Sequence, residues 1–374
     1  MRKLPGSRTI GIAIAAAVAA AAVASPIAAR SDHTLSGVDR ARAKVLAAMK
    51  LPRFKPPGAA VAMSKLKGKN VWIMTSTLTV PFVADIAHGA QAAAKAAGWK
   101  TRLIDGKGNV TEWNRILSEA ISQKVDAVIS VASSPVLMKP QMAKAKAAGI
   151  PVVDVLTADQ ADPLVPGTFA HVSISFYTSG TLQADYVIWK SGGKANVLIF
   201  GDNEFPGEVT RVKGMRDEFR KLCPACKVTF QDTQVGKLGT ALGQTTQTLL
   251  RRDPSIDWVL PTYDAQALYI VPAIKQAGLA SKVKVVSSDA VKSNLDWTAK
   301  SDVQVADVGE PDQWAGWASV DMIARAMLHM PRVQPGIPLR MFDATNLKGL
   351  DTGNADQLFG GSYVRQYKTL WGLS

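Results

Sequence analysis

VWIMTSTLTVPFVADIAHGAQAAAKAAGW, residues Val71 to Trp99, reads as one strand–turn–helix unit. Val71-Trp72-Ile73-Met74 is continuously apolar, the pattern of a strand covered by helices on both faces. The strand is predicted over 71–77 and the helix over 81–97, and Gly98 is placed to take the left-handed conformation that ends a helix. The same ending recurs at Ala148-Gly149 and Ala277-Gly278, each followed within a few residues by another apolar run. Outward from this unit, strands are predicted at 101–105, 127–132 and 150–155, with helices at 112–123 and 136–148. The series then starts afresh, with strands at 196–201, 227–232, 258–262 and 283–288 and helices at 207–222, 240–251 and 265–277. Such alternation gives parallel, doubly wound sheets. There are too many elements for one compact domain, so the expected fold class is α/β with two lobes and a cleft between them. In open sheets of this kind ligands bind beyond the carboxyl ends of the strands. That rule nominates 75–82, 133–135, 156–157, 202–205, 263–264, 289–290 and 309–314.

The chain has 374 residues, 44 Lys and Arg against 30 Asp and Glu, and a formal net charge of +14. This invites a nucleic-acid reading, but the excess is concentrated at one end. Residues 1–30 carry Arg2, Lys3, Arg8 and Arg30 and no acid, and residues 31–68 carry eight bases and two acids. The body is close to balanced, which argues against a phosphate-binding face and a nucleic-acid partner. Basic residues, an uncharged Ala-rich run over 10–24 and small residues at Ala22 and Ala24 follow the order of an export signal. Cleavage is expected after Ala24, with Ala29 as the second site. No cysteine lies nearby, so the export signal is not that of a lipoprotein. The expected compartment is a periplasm. Residues 25–68 read as a basic extension, with Leu35, Val38, Val45, Leu46 and Met49 able to line one side of a short helix.

Cys223 and Cys226 are the only cysteines, and in an exported chain so close a pair is expected to be a disulfide. Redox activity would place the attacking Cys at a helix N-terminus, whereas this pair follows a helix. His33, His88, His171 and His329 lack metal-ligand spacing, so no metal site is expected. Neither a phosphate loop nor a Gly-x-Ser-x-Gly elbow occurs. Nothing nominates a catalytic residue or a cofactor, and the chain is not expected to be an enzyme.

The opening unit resembles the first βα unit of the type I periplasmic binding proteins. So do IPVVDV at 150–155, RVKGMRDEF at 211–219, LPTYDAQALYIVPAIKQAG at 260–278, VVSSDA at 285–290 and EPDQWAGWASVDMIARAM at 310–327. The nearest shape is the ribose- and galactose-binding branch, and the likeness runs in unbroken order over about 69–345. It implies two lobes joined by a three-crossing hinge: 69–172 plus 311–340, and 173–310 plus 341–374, the tail packing on the second lobe. Tail residues Tyr367, Leu370 and Trp371 look like anchors. The resemblance implies a monomeric binder of a sugar-like small molecule, delivered to the membrane permease of an ATP-driven importer. A ligand-sensing subunit serving a receptor kinase or chemoreceptor would use the same closed form. Regulators of the lactose-repressor type share the two lobes but begin with a helix-turn-helix, where this chain has an export signal.

On this resemblance Phe82 is the ring that packs on a sugar face, Arg211 the donor to ring and hydroxyl oxygens, and Asp289 the acceptor of hydroxyl hydrogens. Arg and Asp together complement a vicinal diol. Tyr263, Glu310 and Trp314 are further candidates. Elsewhere the pattern departs: Val80 stands where a ribose binder has Asn, Leu156-Thr157 where Asp-Arg is common, Tyr263 in place of Asn and Gly309 in place of Gln. With those polar contacts gone, ribose itself is not the expected ligand. A less hydroxylated or partly aromatic ligand fits the changed wall.

Overall fold

The computed structural model describes residues 35–373. The expected export signal and its cleavage sites lie outside the described residues. Helix α1 (Gly37–Ala48) comes first, capped by the Ser36 hydroxyl, which accepts from the Asp39 amide. The first sheet then begins with β1 (Asn70–Thr75), α2 (Pro81–Ala96), β2 (Lys100–Asp105), α3 (Val110–Ser122), β3 (Ala127–Val131), α4 (Lys139–Ala147), β4 (Val152–Val155) and β5 (Thr168–Val172). Pro81 opens α2 where the missing N–H has no intrahelical acceptor to lose. The strands pair in the order β2-β1-β3-β4-β5, all parallel. Gly98, Gly149 and Gly278 have φ of +73°, +71° and +72°, as their places at helix ends require.

The second sheet follows through α5 (Phe176–Lys190), β6 (Asn196–Asp202), α6 (Pro206–Leu222), β7 (Lys227–Thr233), α7 (Gly243–Arg252), β8 (Trp258–Pro261), α8 (Asp264–Gln276), β9 (Lys284–Asp289), α9 (Lys292–Ala299) and β10 (Gln304–Gly309). Helix α10 (Asp312–Met327) crosses back to pack on α2 of the first lobe. The two helices approach so closely that a Cβ on Gly316 would stand 2.4 Å from the Ile86 carbonyl oxygen. Strand β11 (Arg340–Asp343) returns to the second sheet, pairing antiparallel with β10 to give the order β11-β10-β9-β8-β6-β7. The chain ends in α11 (Ala344–Leu347), α12 (Ala355–Phe359) and α13 (Ser362–Leu370).

Strand β5, helix α5 and the antiparallel edge were not among the predicted elements. The tail is also divided, contrary to the expectation that 341–374 packs on the second lobe. Phe342, Leu347, Leu358 and Phe359 do form a cluster with Leu295 there. Helix α13 instead buries Tyr363, Tyr367 and Trp371 in the first lobe's core, against Trp314 and Trp317 of α10. The Trp371 indole donates to Asp321 Oδ1 at 2.8 Å, and the other oxygen of Asp321 accepts from Arg325 Nε at 2.7 Å. The basic extension is likewise shared. Helix α1 packs on α5 and α6 through Ala41 and Val45, while Val61, Met63 and Leu66 join the first lobe's core. Leu35 and Leu46, placed on the apolar side of that helix by sequence, are 58% and 43% exposed, so the buried stripe is narrower than expected.

Candidate functional site

The carboxyl ends of β1, β3, β4, β6, β8, β9 and β10 face a cavity of ≈ 70 Å³ between the two lobes. The first lobe contributes Ser76, Thr77, Val80, Phe82, Trp113 and Ala132, with no charged side chain among its lining residues. The second contributes Phe176, Phe205, Glu208, Arg211, Tyr263, Asp289 and Glu310. Five of the six sequence-nominated residues therefore meet: Phe82, Arg211, Tyr263, Asp289 and Glu310.

Arg211 organises the polar side. It leaves α6 where that helix crosses α5 at van der Waals distance, and a Cβ on Gly180 would stand 2.0 Å from the Arg211 carbonyl oxygen. The side chain is wholly buried, and its Nη1 donates to the Thr262 carbonyl at the end of β8. Its guanidinium carbon sits 4.8 Å from the centre of the Phe176 ring, a cation–π geometry. Three carboxylates converge on it: Glu208 at 3.5 Å, Asp289 at 3.6 Å and Glu310 at 3.6 Å. Asp289 is held by the Asp264 amide, which donates to its Oδ2 at 3.2 Å. The Tyr263 hydroxyl is spent on Asp202 at 2.8 Å, so that residue offers the cavity its ring.

Burial dominates the electrostatics. Loss of solvent pushes Glu208 and Glu310 up to about 7 despite the opposing pull of Arg211. Burial and the neighbouring Glu310 raise Asp289 well above the usual carboxylate range. Among the described residues Glu208 Oε2, Glu310 Oε2 and Arg211 Nε have no hydrogen-bond partner. Backbone strain gathers here as well. Ala132, Leu156 and Asp289, each lining the cavity at the end of a strand, have φ of +52°, +56° and +123°.

Trp314 does not belong to this site. Its ring is buried between Phe54 and Tyr363, with centroid distances of 5.2 Å to each, because the α13 tail covers that face of α10. Glu208 is the functional candidate that sequence reading passed over. Its signal was its place three residues before Arg211, on the same helix face, which also suits an ordinary surface ion pair. Phe176 and Trp113 were not nominated either, whereas Phe205 lies within the strand-end range 202–205. Trp113 lies within α3, away from any strand end in sequence, but the fold brings its indole to the end of β1, where it donates to the Ser76 carbonyl at 3.0 Å. Cys223 and Cys226 are joined as a disulfide at the far end of α6, outside the cavity lining. Among the described residues no group of His, Cys, Asp and Glu side chains is arranged to hold a metal ion.

The family model for the periplasmic binding protein domain matches residues 71–329. The chain belongs to this family. A xylitol-binding protein of Mycolicibacterium smegmatis is 27% identical over 245 residues, covering 65% of this chain and 67% of that protein. Among solved structures, an ABC transporter solute-binding protein from Agrobacterium vitis, bound with α-D-tagatopyranose, superposes with a TM-score of 0.69 at 19% identity. It covers 76% of this chain and 98% of its own. A glucose-galactose binding protein from Geobacillus stearothermophilus gives 0.68 at 20% identity, covering 75% and 99%. At these identities the two structures establish the fold, with its two parallel-sheet lobes, and it is the fold expected from the sequence.

Proposed function

We propose that this chain is the substrate-binding component of an ATP-driven importer and captures a sugar or sugar-like polyol in the cavity between its lobes. The observation that carries this reading is the convergence of Glu208, Asp289 and Glu310 on Arg211 beneath a rim of aromatic rings. Hydroxyl groups both donate and accept, so a polyol can give hydrogens to Glu208 Oε2 and Glu310 Oε2 while accepting from Arg211 Nε. The rings of Phe82, Phe205 and Trp113 supply apolar faces for the carbon skeleton. The curated relative that binds xylitol supports a polyol in particular. Residues of both lobes line the cavity, so ligand would favour closure, the form a membrane permease can distinguish from the open one. The family's setting and the basic–apolar–small order of residues 1–24 support export to the periplasm. The test is a thermal-shift screen of the purified protein against pentitols, hexitols and monosaccharides. A ligand of this site raises the melting temperature in a concentration-dependent way. Silence across the whole panel would overturn the reading.

A further inference from the structure

The cavity has one base and three acids. From the first lobe, the lining brings only apolar and uncharged residues, so nothing facing Glu208, Asp289 and Glu310 across the cleft neutralises them. Arg211 cannot do so alone. Its Nη1 is engaged by the Thr262 carbonyl, and each carboxylate stands 3.5 or 3.6 Å away, beyond normal charge-assisted hydrogen-bond length. Glu208 Oε2, the atom 3.5 Å from Arg211 Nη1, and Glu310 Oε2 accept no hydrogen bond from the described residues, although the two residues are only 8% and 2% exposed. Buried acceptors without a protein donor are costly, and they define what a ligand can bring. Two oxygens ask for donors, while one N–H, on Arg211 Nε, asks for an acceptor. The aromatic rim, with Phe82, Phe205 and Trp113 around the same space, also favours a cation over an anion.

We infer that the ligand carries a protonated amine beside its hydroxyl groups, an amino-polyol or amino sugar whose ammonium is received by Glu208 and Glu310. This rests on the proposed capture of a polyol-like solute, which it narrows by charge. An ammonium has three donors and no acceptor, matching the surplus of acceptors, and its charge offsets one of the two formal negatives in excess. A hydroxyl in that place supplies one donor and leaves the excess uncompensated. A carboxylate or phosphate would add to it.

The experiment is titration calorimetry of the full chain at pH 7.5 with matched triplets. Each triplet holds a pentitol or hexitol, its 1-amino-1-deoxy counterpart and the corresponding aldonate, joined by glucose, glucosamine and gluconate. The strongest ligand is expected to be an amine, at least about tenfold tighter than its hydroxyl partner, a difference of about 1.4 kcal/mol. The aldonates are expected not to bind. Glu310→Gln and Glu208→Gln should shrink the amine preference while the neutral partner changes less. A neutral polyol that binds as tightly as its amine, or more tightly, would overturn the inference and leave the proposed function standing. No binding by any member would overturn both. An amine preference that survives both Gln variants unchanged would remove these carboxylates from its cause.

Discussion

Replacing Glu310 by Gln tests whether the cavity holds its charge at the expense of the fold. The carboxyl is 2% exposed and stands 3.6 Å from Arg211, yet its pKa is raised from the ordinary 4.5 to about 7. Burial is the main cause, and Glu208 adds to it, while Arg211 opposes. A carboxyl whose folded pKa lies above its unfolded one favours the folded state only while protonated. That contribution is complete below about 4.5 and is lost as pH rises through about 7. A tenfold change in proton affinity corresponds to about 1.4 kcal/mol, so ionised Glu310 costs the ligand-free protein at most ~3 kcal/mol above pH 8. Glutamine has the shape of the protonated acid and no charge. In thermal melts of the ligand-free protein, Glu310→Gln is therefore expected to melt a few degrees higher than the parent at pH 8. The difference should shrink as pH falls through 7 and close only below about 4.5. A variant that melts lower than the parent at pH 8 would refute the reasoning, since Arg211 would then be repaying the cost of burial in full.

The remaining predictions concern packing around the site and away from it. Gly180→Ala forces α5 and α6 apart at the Arg211 carbonyl. It should destabilise by ~1–3 kcal/mol in denaturant melts and weaken ligand binding, whereas binding at parental affinity would detach the crossing from the position of Arg211. Phe82→Ala removes an apolar face from the cavity and should weaken the ligand by ~1–2 kcal/mol, read by calorimetry, with little change in melting temperature because Phe82 is only half-buried. Trp371→Ala opens the α13 contact and leaves Asp321 Oδ1 without its indole donor. A loss of ~3–5 kcal/mol in stability is expected, with ligand affinity retained in the folded fraction.

The helix endings at Gly98, Gly149 and Gly278 and the apolar run at Val71–Met74 were legible because each depends on local chemistry alone. The strand-end rule likewise pointed to Asp289 and Glu310, which sit where parallel strands must deliver side chains, whereas Arg211, inside α6, came from the family resemblance alone. Trp314 was misjudged for a reason that spacing cannot show. An aromatic at the start of α10 can face the cleft or the opposite side, and α13 and Phe54 decide which. The anchoring character of Tyr367 and Trp371 was readable, but their destination was not, since an apolar stripe says that a surface is covered and not by what. Glu208 was masked by its own neighbour. At three residues from Arg211 on a helix, burial alone separates a cavity ligand from a solvated ion pair, and burial here comes from α5 and the strand ends of both lobes. Strand β11, Arg-Met-Phe-Asp, is as short as β4 and β8 but has a charged residue at each end, so no apolar run marks it.

The measurement that bears most directly on the central claim is calorimetric titration of the best ligand from the polyol and monosaccharide panel into the parent protein and into Asp289→Asn. Asp289 closes β9, touches both Arg211 and the Asp264 amide, and keeps its shape as Asn. The expected result is one ligand per chain for the parent, and for Asp289→Asn an affinity lower by about tenfold or more with the folded structure intact. Binding of equal strength to both proteins would contradict the placement of the site between the lobes.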